Sequence, residues 1–354
     1  MPFRVIQWST GNVGRQALRA IIGHPDLELA GLWVSGGDKV GRDAGDIAGL
    51  APTGVRATHD AEALLRLPAD VVCYTATADL RPAEAVEDLC RILRAGKNVV
   101  SSSVVSLVWP KGANPDLVEK LEAACRAGGT SLYTNGIDPG FANEALPLAL
   151  ASLSARVDQI RAMEIVNYAT YHQPEVLFGT MGFGQPLDAS PLLLIPGVLT
   201  LAWGPVVQLM AHALGAPLDE IRETHERRPA PETFRIPCGE VPKGTMAALR
   251  FEVAGIVRGR PAIVVEHVTR LRDDLAPDWP TPLLGSGCYR IHVDGNPKIR
   301  CELNLEGEDG DHNTGGLLVT AMRILNAIPA VCAAPPGLLS PLDLGLYSAR
   351  GLVR

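Results

Sequence analysis

The stretch Trp8-Ser9-Thr10-Gly11-Asn12-Val13-Gly14-Arg15-Gln16-Ala17 decides how the first part of this chain folds. It follows an apolar run of strand type, Phe3–Trp8, and opens a pattern of helical period over residues 13–22. Small residues at 11, 14 and 17 make a GxxGxxA pattern between strand and helix. Gly11 allows a tight turn, Gly14 lets the backbone approach a pyrophosphate, and Ala17 permits close packing of helix on strand. The N–H groups and positive end of a helix starting here hold phosphate. The reading is a dinucleotide-binding turn in which Thr10, Gly11, Asn12, Val13 and Gly14 surround the pyrophosphate.

Outward from the turn, short apolar runs at 27–34, 70–75, 98–102 and 131–133 alternate with helical patterns at 61–67, 82–95 and 116–127. That order predicts parallel strands joined by crossover helices, a doubly wound α/β sheet. After the second strand come Val34-Ser35-Gly36-Gly37-Asp38-Lys39-Val40-Gly41-Arg42. A domain that prefers NAD has an acidic residue there for the ribose diol. Here Ser35, Lys39 and Arg42 suit a 2′-phosphate, which points to NADP; Asp38 taking the diol keeps NAD open. The later strands end in Thr75-Ala76-Thr77, Ser101-Ser102-Ser103 and Asn135-Gly136-Ile137-Asp138-Pro139-Gly140-Phe141. Ligands bind at such carboxyl ends, so Thr75, Ala76, Thr77, Ser101, Ser102, Asn135, Gly136, Asp138 and Pro139 are further cofactor contacts. Hydroxyls at strand ends are also common turn formers.

Beyond Phe141 a helix at 143–153 leads into strands of alternating character at 159–168, 247–257, 262–271, 287–293 and 298–305. An apolar helical region at 192–214 and a helix at 218–227 interrupt them. This predicts an α+β domain with a largely antiparallel, open sheet. A helix at 314–328 returns to the first domain to bury Leu317, Met322 and Leu325. His312 belongs to the acidic loop before it, with Asn313 or Thr314 as cap. The domains expected are 1–145, completed by 312–354, for the dinucleotide, and 146–311 for substrate and dimerisation.

Of 354 residues, 32 are basic and 39 acidic, a formal charge of −7 that disfavours nucleic acid or an anionic membrane as partner. Seven cysteines without a CxxC pair indicate neither a disulfide framework nor a zinc site, and no metal is expected. The N-terminus has no signal-peptide pattern, and the apolar stretch 192–203 is short and broken by Pro196 and Gly197. The reading is a soluble cytoplasmic protein acting on a small molecule. Aromatic residues are scarce, and Tyr133, Phe141, Tyr168, Tyr171, Phe178 and Phe183 gather in one short window, which marks that window as a pocket wall.

The segments QWSTGNVGRQALRAI, AGKNVVSSS, NGIDPGFAN, EIVNYATY, EHVTR and GDHNTGGLLVTAMRILNAIPAV span nearly the whole chain. Together they resemble the family of 2,4-diaminopentanoate dehydrogenase and the native amine dehydrogenases, and more distantly dihydrodipicolinate reductase. The resemblance implies a Rossmann domain plus an α+β domain and a homodimer. It also implies hydride transfer between NAD(P)H and an imine, or the reverse oxidative deamination. In amine dehydrogenases a glutamate stands a few residues after the NVVS strand; here no carboxylate appears between Asn98 and Asp116. An imine, alkene or carbonyl reductase that uses no ammonia, and a non-catalytic NADP-binding sensor, are the alternatives.

Reduction of C=N or C=O needs a proton donor near the developing anion or amine. Strand alternation puts Glu164, Val166 and Tyr168 on one face, and on the later strand Val265, His267 and Thr269. His267 matches a pocket histidine of the resembling family. The candidate catalytic residues are His267, Tyr168 and Glu164, with Glu164 as a salt-bridged sheet residue the alternative. Ser103, Phe141, Asn167, Tyr171 and His172 are candidate substrate contacts, and the glycine-rich segment 178–184 is expected to close over them.

Overall fold

In the computed structural model, which describes residues 1–78 and 81–353, strand β1 (Phe3–Trp8) runs through the glycine turn into helix α1 (Asn12–Gly23). Strands β2 (Leu27–Trp33), β3 (Ala57–Thr58), β4 (Val71–Tyr74), β5 (Asn98–Ser101) and β6 (Ser131–Thr134) follow. Helices α2 (Ala44–Ala48), α3 (Ala61–Leu65), α4 (Pro82–Arg94) and α5 (Pro115–Gly128) lie between them. Alternation along β1 explains the layering. Ile6 and Trp8 pack on one side with Leu89, Leu93 and Leu121, while Val5 packs on the other with Ala17 and Ile21. Both faces being covered, the strands are largely buried, polar Gln7, Ser101, Ser131 and Thr134 included. The chain divides into two units, Met1–Phe141 with Leu317–Arg354, and Ala142–Gly316.

The second unit begins with α6 (Leu146–Ala151) and continues through β7 (Arg156–Asn167), α7 (Val198–Leu214) and β8 (Glu220–Pro229). A small hairpin, β9 (Phe234–Ile236) and β10 (Gly239–Val241), precedes β11 (Met246–Val257), β12 (Arg260–Arg270), β13 (Gly287–Asn296) and β14 (Ile299–Leu303). Six of these strands form one sheet in the order β14-β13-β7-β12-β11-β8. Four of its pairings are antiparallel, but the central one, β7 with β12, is parallel, so the sheet is mixed at its middle. Helix α7 lies against β8, β11 and β12. Its first turn is capped by the Glu223 carboxylate of β8, which accepts from Gly197 N at 2.6 Å and Thr200 N at 2.7 Å.

The chain then enters α8 (His312–Leu325), α9 (Ile328–Ala333) and β15 (Gly337–Leu339). β15 joins β6 in parallel and completes the first sheet, β15-β6-β5-β4-β1-β2-β3, in which every pairing is parallel. The stretch His312–Ala333 is long and apolar enough to cross a membrane by composition. Its Ala321, Ile324, Leu325, Ile328 and Val331 are nevertheless packed with Val5, Ala17, Ile21 and Tyr133, as a core helix requires. Leu325 is buried as expected, whereas Leu317 and Met322 are only half-buried.

Three sequence expectations are corrected. Residues 218–227, expected as a helix, instead enter strand β8 at Glu220, because pairing with β11 overrides the helix propensity of a Glu- and Arg-rich run. The signal was present: Glu220 with Arg222 and Glu226 with Arg228 are ion-paired two residues apart, a spacing that makes neighbours on a strand and not on a helix. In the segment 178–184, Phe183 belongs to the core rather than to a pocket wall. Phe183 is fully buried, and a Cβ on Gly182 (φ +86°) would lie 2.5 Å from the Pro191 ring. His312 begins α8 and is buried, and the cap is Asp311, whose carboxylate accepts from Thr314 N at 2.9 Å.

Candidate active site

In the first unit, the glycine turn divides its labour differently from the expectation. The left-handed residue of the turn is Ser9 (φ +80°), while Gly11 has an ordinary φ of −70°. Gly14 is the close-packing glycine: a Cβ there would lie 2.5 Å from the Ser9 carbonyl and 2.6 Å from Thr75 Oγ1. A Cβ on Gly11 would meet nothing within 4 Å, so the mouth of α1 opens on free space. No side chain caps that helix and no acidic residue lies in its first turn. Buried Gln7 braces the turn, donating from Nε2 to Ser9 O at 2.8 Å and to Thr75 Oγ1 at 2.9 Å. Thr75 is therefore committed to the fold, its hydroxyl donating to Trp8 O at 3.0 Å.

Lys39 reaches the same turn, its Nζ 3.2 Å from Thr10 Oγ1. Ser35 and Arg42 are exposed on the loop after β2, and the Asp38 carboxylate folds back over Gly36. Asn12 and Thr77 are exposed, Val13 is half-buried and Ala76 is buried. At the ends of β5 and β6, Ser103 N donates to Ser101 Oγ at 2.9 Å, and Ser102 N donates to Tyr74 O at 3.2 Å. Asp138 and Pro139 are half-buried beside buried Gly136. Ser103 Oγ, Thr134 Oγ1 and Asn135 Nδ2 are buried with no hydrogen-bond partner among the described residues. A nicotinamide dinucleotide fits this set: an uncapped helix start and a lysine for phosphate, and unspent polar atoms at the strand ends, where the base would lie.

In the second unit, register builds a row. Phe251 on β11 stands opposite His267 on β12, His267 opposite Glu164 on β7, and Glu164 opposite Tyr289 on β13. Four side chains thus line one face of the sheet side by side. Glu164 lies within reach of three donors. His267 Nδ1 is 3.1 Å from Oε2, Tyr168 donates its hydroxyl to Oε2 at 3.0 Å, and Tyr289 donates to Oε1 at 2.9 Å. Both Glu164 and His267 are 5% exposed. Burial pushes the Glu164 carboxyl up, but the hydrogen bond and charge of His267, the Tyr289 hydroxyl and the charge of His312 outweigh it. The net shift is below the ordinary carboxylate value, so Glu164 is ionised at neutral pH. An ionised carboxylate only accepts, so the His267 proton facing it is on Nδ1.

Rings enclose the row. Phe251 stacks on the His267 imidazole at 4.5 Å between centroids, and Trp203 of α7 meets it edge-on at 4.7 Å. Tyr171 stacks on Tyr168 at 4.9 Å. Beyond Tyr289, His312 lies 5.7 Å away ring to ring and donates from Nδ1 to Leu305 O. Gly287 leaves room for it, since a Cβ there would lie 2.5 Å from His312 Cγ.

The three candidate catalytic residues, His267, Tyr168 and Glu164, come together in this row. Among the candidate substrate contacts of this unit, Tyr171 reaches it through its stack on Tyr168. Asn167 does not: its carboxamide is spent on Asp273, by Nδ2 at 2.8 Å, and on Ala169 N. His172 is exposed, 3.7 Å from Cys238 Sγ. In the first unit, Phe141 lies under the Arg323 guanidinium. Tyr133 and Phe183, read as pocket aromatics, are core residues. Tyr289, Phe251, Trp203 and His312 were missed, since their place in the row follows from strand pairing that alternation within one strand does not reveal.

Residues 141–351 match the family described as the 2,4-diaminopentanoate dehydrogenase C-terminal domain. The chain is 43% identical over 349 residues to an amine dehydrogenase of Streptomyces virginiae, covering 98% of this chain and 97% of that protein. It is 23% identical over 279 residues to a 2,4-diaminopentanoate dehydrogenase of Acetoanaerobium sticklandii, covering 78% of this chain and 74% of that protein. Among solved structures, an amine dehydrogenase from Mycobacterium smegmatis shares the fold, with a TM-score of 0.78 at 20% identity, over 98% of this chain and 97% of that one.

Proposed function

The chain belongs to the amine dehydrogenase family and is an NAD(P)-dependent oxidoreductase; from that premise we propose that it interconverts a small to medium apolar amine with its imine or ketone. The unit of Met1–Phe141 with Leu317–Arg354 holds the dinucleotide in this reading, and Ala142–Gly316 binds substrate. When bound, the nicotinamide supplies or accepts the hydride. Everything else falls to side chains of this chain.

The observation that carries the reading is Glu164, a buried carboxylate kept ionised among aromatic rings. An ammonium or iminium group is the cation that such a carboxylate holds by charge. His267, fixed by Glu164 through Nδ1, transfers a proton to the departing hydroxyl of a carbinolamine in amination, and takes one back in deamination. The Tyr168 and Tyr289 hydroxyls hold the carboxylate in place, so that its charge stabilises the imidazolium.

The finer parts of the reading have their own support. Lys39 beside Thr10 and exposed Arg42 favour NADP(H), while no acidic residue directly follows β2. Seven free cysteines fit a reducing cytoplasm. A homodimer rests on the family. The test is to follow NADPH and NADH consumption with apolar ketones, with and without ammonium. NADPH consumption that requires ammonium is expected; equal rates without ammonium would assign a carbonyl reductase instead.

A further inference from the structure

The turn after β6 is held by residues almost two hundred positions further along. Arg323 on α8 donates from Nε to Asn135 Oδ1 at 3.1 Å. Its guanidinium lies 4.1 Å from the Tyr347 ring centroid and 5.1 Å from that of Phe141. Three residues earlier on the same helix face, Thr320 Oγ1 is 3.4 Å from Ile137 N. Tyr347, from the segment after β15, is fastened by a hydroxyl–hydroxyl bond of 3.0 Å to Tyr133.

This arrangement orients one amide. An arginine Nε–H can only donate, so the Asn135 oxygen faces Arg323 and Nδ2 turns the other way. There Nδ2 is buried with no partner among the described residues. Gly140 (φ +139°) makes the orientation possible, because a Cβ at that position would lie 2.6 Å from Asn135 Oδ1. A buried donor left unsatisfied costs stability, and a fold that spends an arginine, a tyrosine and a glycine on aiming it has a use for it.

We propose that Arg323 is a positioning residue for the cofactor: clamped by Tyr347, it turns Asn135 Nδ2 toward an acceptor oxygen at the nicotinamide end of the dinucleotide. The proposal rests on the cofactor reading above. It is separated from that reading by comparing two ligands, NADPH and adenosine 2′,5′-bisphosphate, which has no nicotinamide. If NADH binds wild type more tightly, NADH and ADP replace them. Affinities are measured by calorimetry for wild type, Arg323→Met, Asn135→Ala and the double variant. Each single variant should bind NADPH about tenfold more weakly, the double variant no worse than either, and all should keep bisphosphate affinity within about twofold. Parallel loss of both ligands, or losses that multiply in the double variant, would overturn the proposal. Failure of wild type to bind either pair would overturn the cofactor reading itself. Should Arg323→Met fail to fold by circular dichroism, Arg323→Lys, which keeps a cation between the rings without the Nε donor, is put to the same comparison.

Discussion

Glu164 combines deep burial with a depressed titration, and the two have opposite causes. Desolvation alone would neutralise it; His267, Tyr289 and the charge of His312 keep it ionised. The sign of its effect on stability follows. A carboxyl whose folded value lies below its unfolded value stabilises the fold at pH above the unfolded range, and that contribution is lost as pH falls through the folded value. Glu164→Gln should therefore flatten the acid limb of the stability curve, read as urea midpoints of wild type and variant across pH 3 to 7. A variant curve parallel to wild type through that limb would show that Glu164 is not ionised in the folded protein. Alternation sorted Glu164 and His267 by face, but His267 was singled out by the family resemblance, and Glu164 could equally be read as a salt-bridged sheet residue, since β12 is buried on both faces around His267. Their contact was not readable, because it crosses two strands 103 residues apart in sequence.

At the scale of elements, the glycine turn was legible as a strand–turn–helix junction, but the part played by each glycine was not. Gly14 is required for packing against the Ser9 carbonyl and Thr75, whereas Gly11 borders open space. Gly14→Ala should cost about 1–3 kcal/mol through overpacking and displace the mouth of α1, weakening dinucleotide binding. Chemical denaturation and a cofactor titration check it; a variant unchanged in both would show that the turn accommodates the methyl. β8 teaches the converse. Its residues prefer a helix in isolation, and only the neighbour strand β11 makes them extended. The parallel pairing of β7 with β12 was hidden for the same reason, although it sets Glu164 beside His267.

At the scale of the molecule, one returning helix was expected at 314–328, where the chain forms α8 and α9, and of the three side chains expected to bury it only Leu325 is fully buried. The final strand, β15, was not legible, being three residues long and dependent on β6 for its pairing. The chain thus supplies a dinucleotide fold whose last pieces come from its C-terminal end, and a sheet whose register assembles a buried carboxylate, an imidazole and two phenols. We propose that this row handles the proton when a carbinolamine loses water to give the imine, and when water adds back in deamination. The direct measurement is kcat/KM for ammonium-dependent ketone reduction by Glu164→Gln, with NADPH affinity measured on the same sample. A loss of about 10²–10⁴-fold with cofactor affinity unchanged is expected. Retention of wild-type kcat/KM in a folded, cofactor-binding variant would contradict it.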